Sequence, residues 1–102
     1  MKLEDKIADS EVTFIHSMEY NGNKKQFDVN LVKNPRLFNG ADKRLTFDNV
    51  RSFQIDEETY NSPDQIRGIS EYREGDSMKY VFMTEQRTFM LSTDKEPLLV
   101  DL

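Results

Sequence analysis

Few residues in this chain can do chemistry, and their types narrow the options at once. His16 is the only histidine, and there is no cysteine. A two-histidine metal site cannot form within one chain, and neither can a thiolate nucleophile or a cysteine-based zinc site. His16 stands on an otherwise apolar stretch. A single imidazole there reads as a half-buried side chain with one hydrogen bond rather than as a ligand or a base. The carboxylates fall into two groups. Asp56, Glu57 and Glu58 stand together, with Tyr60 close behind, and Glu71, Glu74 and Asp76 follow. Neither group has the alternating ligand positions and central glycine of an EF-hand loop, so each reads first as a solvated acidic loop. Paired carboxylates across a cleft would suit glycoside hydrolysis. A chain of 102 residues leaves little room for a sugar groove.

No G-x-S-x-G elbow, phosphate-binding P-loop or G-x-G-x-x-G run occurs. The aromatic residues would serve a nucleic-acid stacking platform only if lysine and arginine were interleaved with them. Basic residues are adjacent only at Lys24-Lys25 and Lys43-Arg44, both beside turns. The aromatics therefore read as core, and Met18, Met78, Met83 and Met90 as gap fillers. No cofactor and no metal is expected, and the chain is not expected to be an enzyme. What remains is binding. Tyrosine beside acidic residues pairs an anchor with steering charge, which makes Asp56, Glu57, Glu58, Tyr60, Glu71, Glu74 and Asp76 the candidate contacts for a protein partner.

Composition sets the frame for those residues. The length suits one domain covering residues 1–102. Net charge is −5, made up of −2 over residues 1–60 (9 Lys/Arg, 11 Asp/Glu) and −3 over residues 61–102 (5 Lys/Arg, 8 Asp/Glu). Such a surface repels nucleic-acid phosphates and anionic lipid and attracts a basic protein. It also keeps a small domain soluble. No apolar run approaches the roughly 20 residues of a membrane helix. The polar start, Met1-Lys2-Leu3-Glu4-Asp5-Lys6-Ile7, is unlike a signal peptide. The absence of cysteine fits the cytoplasm.

The elements that position these residues are short. Leu3 and Ile7 are four apart, which suits one face of a short helical turn or a loose lead-in. Residues 11–20 read as a strand, with Val12, Phe14, His16 and Met18 on one face and Ile15 breaking the alternation. Tyr20-Asn21-Gly22-Asn23 is a turn, and residues 26–32 complete a hairpin. Pro35 ends that strand, and Phe38 is expected to plug the core. Leu45 to Ile55 reads as strand, corner and strand. Leu45, Phe47, Val50, Phe53 and Ile55 are its apolar anchors, and Asp48-Asn49 is the corner. A polar loop over residues 56–64 leaves directly from its end. Residues 65–73 form a strand in which Gly68 marks a bulge or a close backbone approach. Arg73-Glu74-Gly75-Asp76 is a hairpin turn. Residues 78–84 carry apolar side chains of both parities, as expected of a central strand covered on both faces. Residues 88–93 form another strand, and the Leu98–Leu102 tail is an edge strand or a docked end. About seven short strands at this spacing predict an all-β domain: an antiparallel sandwich, a strongly bent sheet or a small barrel.

The run Asp9-Ser10-Glu11-Val12-Thr13-Phe14-Ile15, then Leu45-x-Phe47-x-x-Val50, Gln65-Ile66-x-Gly68-Ile69 and Phe89-x-Leu91 resembles small bacterial all-β proteins. Their type is the immunity protein of polymorphic toxins, together with related uncharacterised single-domain families. The resemblance implies a cytoplasmic protein that binds and blocks a toxin, and it assigns no catalytic or contact residue. A protein-binding domain with a basic partner is therefore the first expectation. A small-ligand or lipid carrier on a β-barrel is the second. The third is an oligomeric structural or phage-type component, whose edge strands, the Leu98–Leu102 tail among them, pair between chains.

Overall fold

A computed structural model describes residues 2–34, 36, 40–55 and 63–102. Phe38, the expected plug, lies outside the described residues. The chain begins with helix α1 (Leu3–Ser10). Among the described residues eight strands follow: β1 (Phe14–Asn21), β2 (Gln26–Val32), β3 (Lys43–Phe47), β4 (Val50–Gln54), β5 (Asp64–Glu74), β6 (Ser77–Thr84), β7 (Thr88–Thr93) and β8 (Leu98–Asp101).

All neighbours are antiparallel, in one unclosed sheet of order β4-β7-β6-β5-β1-β2-β3-β8. The fold is the all-β one expected, in its bent-sheet form, and the tail supplies an eighth strand. The bend has two causes. The β1–β5 contact is short, with only Phe14 opposite Gln65 and Ile15 opposite Asp64. In addition, β3 and β4 lie near opposite ends of the sheet, yet only Asp48-Asn49 joins them. A two-residue link forces those ends together. Asn49 meets the demand with a left-handed backbone, φ 53°, which asparagine tolerates better than most residues. The Val50 N–H donates to the Lys25 carbonyl at 2.9 Å across the seam.

Rings fill the space between the two halves. Phe47 on β3 meets Tyr80 and Phe82 on β6, with ring centres 5.3 and 6.0 Å apart. Phe27 on β2 meets Phe53 on β4 at 4.6 Å and Phe89 on β7 at 6.2 Å. Leu45, Phe47 and Val50 are buried as expected, and Phe53 and Ile55 pack partly buried against them.

Three local readings change. In β1 the pairing shifts between Ile15 and Ser17, so His16 occupies a bulge. The bulge resets the alternation. Ile15 is fully buried, while Phe14, His16 and Met18 are only half-buried. In the first hairpin the left-handed residue is Lys25, φ 52°, rather than an asparagine or the glycine. Asn21 instead organises the turn, its side-chain oxygen accepting the Asn23 and Lys24 N–H groups. Strand β6 is central in strand order but is covered on one face. Tyr80 and Phe82 are buried, Val81 is half-buried and Met83 is exposed.

Helix α1 closes the side of β5, with Leu3 and Ile7 buried beneath it. No local side chain caps its start. Glu71 on β5 accepts the Leu3 N–H at 2.7 Å, and Glu4 accepts the Ile69 N–H at 2.7 Å. Strand β5 bulges between Ile66 and Gly68, and its pairs with β1 end at Gln65, so Glu4 rather than β1 takes the Ile69 N–H. Gly68 supplies the close approach read from the sequence: an added Cβ would lie 3.2 Å from Met83 Cε and 3.6 Å from Glu4 Oε2.

Candidate functional site

The feature that stands out on this scaffold is the β8 rim. Its placement starts at the end of β7. Thr93 is fully buried and its hydroxyl donates to the Lys95 carbonyl at 2.7 Å. Asp94 holds Arg51 at 2.6 Å. Buried Pro97 follows, and β8 begins one residue later. A proline before the first ladder residue costs no hydrogen bond of the strand. The connection thus carries the chain from β7 to β3, near the opposite end of the sheet. On arrival, Lys43 pairs with Asp101 at 2.6 Å. That hydrogen bond and the lysine charge hold the Asp101 carboxyl below its ordinary range.

The outer face of this half is polar except at its rim. Asn30 donates to the Ser17 hydroxyl at 2.8 Å and accepts from Arg44 Nε at 2.9 Å. Thr46 donates to Asp28 at 2.8 Å. Arg44 and Thr46 stand opposite Val100 and Leu98. There the character of the surface changes: Leu98 is 60% exposed, Val100 44% and Leu102 58%. Spacing of two places all three on one face of the strand. No described strand pairs with the outer side of β8. Soluble proteins commonly protect such rims with charge, proline or a covering element.

The other candidates resolve differently. Asp56, Glu57, Glu58 and Tyr60 lie outside the described residues. Glu71 is half-buried and committed to anchoring α1. Glu74 is exposed and pairs with Lys79 at 3.6 Å, and Asp76 sits in the two-residue turn beside Gly75. Strand β5 runs eleven residues from Asp64 to Glu74. At about 3.3 Å per residue, roughly 30 Å of strand separates that turn from Asp64 at the other end. The three described acidic candidates are thus divided between a helix anchor and a hairpin tip.

Two chemistry-bearing residues escaped the sequence reading. Asp64, placed there in a polar loop, is buried at the start of β5, and its Oδ1 accepts the Gln86 N–H at 3.3 Å. Tyr80, read only as core, is buried and borders a cleft of about 20 Å³ lined also by Leu3, Lys6, Glu71, Glu96 and Pro97. Burial, then the charges of Glu71 and Glu96, push its phenol up to about 12. A phenol so raised stays neutral and is a poor base at neutral pH. Among the described residues, no three of His, Cys, Asp and Glu stand close enough together to hold a metal ion. The cavities over Tyr20, Lys25, Asn49 and Arg51 and over Ser52, Glu74, Lys79 and Ser92 are open surface grooves of about 370 and 340 Å³. No described helix is long and apolar enough to cross a membrane.

No protein-family model matches the chain, and no match was found among curated proteins or solved structures.

Proposed function

We propose that this chain is a non-catalytic protein-binding domain whose binding surface is the outer edge of β8. The observation that carries this reading is the row Leu98, Val100 and Leu102, exposed on a strand with no described neighbour on its outer side. Strand addition at such an edge draws affinity from main-chain hydrogen bonds and specificity from alternate side chains. The resemblance in sequence pattern suggests a setting: a cytoplasmic, immunity-type inhibitor of a basic toxin. Net charge of −5 supports that setting by favouring encounter with a cationic partner.

The test is affinity capture from extract of the native source at low and high salt. The bait is wild-type protein or a Leu98→Lys/Val100→Lys variant. Both positions are exposed, but Lys at position 100 faces Arg44 across the ladder, so the melting transition of the variant is measured alongside to show that β8 stays paired with β3. The reading expects a protein retained by the wild type and lost by the variant. Equal retention by both baits would place the binding surface elsewhere.

A further inference from the structure

The β8 edge has a phase, and that phase selects its occupant. The Leu102 N–H donates to the Asp42 carbonyl at 3.1 Å. In an antiparallel ladder, hydrogen-bonded and non-hydrogen-bonded pairs alternate. The pairs Arg44–Val100 and Thr46–Leu98 therefore share the phase of Asp42–Leu102. The backbone groups of Leu98, Val100 and Leu102 turn inward to β3. Those of Leu99 and Asp101 turn outward, to the side on which no described strand pairs. An incoming strand must satisfy Leu99 and Asp101, and must set apolar side chains against Leu98, Val100 and Leu102.

We propose that, when no basic partner holds it, this edge is occupied by a second copy of the same chain, with the two β8 strands antiparallel about a two-fold axis at Val100; copy and partner exclude each other. This rests on the reading of β8 as the binding edge. Turned about Val100, Leu99 of each copy meets Asp101 of the other, and these outward-turned residues exchange four backbone hydrogen bonds. Leu98 meets Leu102, and Val100 meets Val100 as a non-hydrogen-bonded pair, the closer kind. The surface is thus self-complementary, as a two-fold interface requires.

The neighbouring registers that keep the same phase are worse. Centring on Leu99 places Pro97, which has no N–H, opposite Asp101. Centring on Asp101 sets two carboxylates directly against each other. Both follow from the order Pro97-Leu98-Leu99-Val100-Asp101-Leu102. Five residues a side is a small contact beside the roughly 1,200–2,000 Å² of a stable interface. The dimer is therefore a weak one that grows with concentration.

The experiment is sedimentation from micromolar to millimolar concentration on wild type, Val100→Lys, Val100→Glu and an equimolar mixture of the two variants. Wild type is expected to dimerise. Each variant alone, facing its own like charge, should lose about tenfold or more in association. The mixture should regain it, because Lys and Glu face each other only in the register centred on Val100. Three results would overturn the proposal: a monomeric wild type at millimolar concentration, dimers of Val100→Lys as strong as wild type, or no rescue in the mixture. A monomeric wild type whose captured protein partner is lost on Leu98→Lys/Val100→Lys substitution overturns the second copy and leaves the binding edge standing. Loss of neither dimer nor partner overturns both.

Discussion

Replacing Phe47 with alanine tests how the two halves of the sheet hold together. Phe47 is fully buried next to the two-residue corner, and its ring meets Phe27 at 6.2 Å, Tyr80 at 5.3 Å and Phe82 at 6.0 Å. The change removes about 120 Å² of buried apolar surface beyond Cβ, which at ~25 cal/mol/Å² is about 3 kcal/mol. The cavity left among rigid rings raises the total to about 3–5 kcal/mol. A domain of this size holds roughly 5–15 kcal/mol, so the loss is a large part of its stability. The melting temperature should fall by about 15–30 °C. Urea unfolding followed by circular dichroism measures the loss directly. Phe53→Ala is the control, because that ring is only partly buried on the edge strand β4 and should cost roughly half as much. A Phe47→Ala loss below about 1 kcal/mol would falsify the packing described across the bend.

The helix clamp gives a second prediction. Glu4→Gln and Glu71→Gln should each cost about 1–2 kcal/mol, and the double variant less than their sum, since both undock the same helix. Hydrogen exchange at the Leu3 and Ile69 amides reads the undocking site by site. Tyr80 gives an alkaline one. Its folded phenol is pushed up to about 12, against about 10 in the unfolded chain. The fold therefore favours the neutral form. That stability is complete below pH 10 and lost as pH rises toward 12. Tyr80→Phe should flatten this alkaline decline in a pH series of urea midpoints. Gly75→Ala places a side chain at φ 63°, whereas the tight contact of Gly68→Ala is with the flexible end of Met83 at 3.2 Å, and Glu4 Oε2 lies at an ordinary 3.6 Å. The first should destabilise by about 1 kcal/mol and the second by less, in the same unfolding assay.

The strands were legible because their signal is local. Phe27, Val29 and Leu31 alternate cleanly, and β2 spans residues 26–32 in the sequence reading and in the structure alike. The Leu3–Ile7 face and the Asp48-Asn49 corner were legible for the same reason. The bulge at His16 was not, since a broken alternation does not say which residue is the extra one. One-sided cover of β6 was hidden too, because apolar side chains of both parities look the same whether or not a second layer exists. The candidate site was the least legible part. Glu71 read as a surface carboxylate because its partner, the Leu3 N–H, lies 68 residues away in sequence. The apolar tail was seen as an edge strand or a docked end. Only the pairing of β8 with β3 shows which of its faces is bare.

The most direct measurement of the β8 edge is amide hydrogen exchange along residues 98–102 at rising protein concentration. The N–H groups of Leu98, Val100 and Leu102 face β3 and should keep the same protection throughout. Those of Leu99 and Asp101 face the side on which no described strand pairs. These two amides alone should gain protection as concentration rises, and Val100→Lys should remove the gain. Unchanged exchange at Leu99 and Asp101 up to millimolar concentration would contradict it.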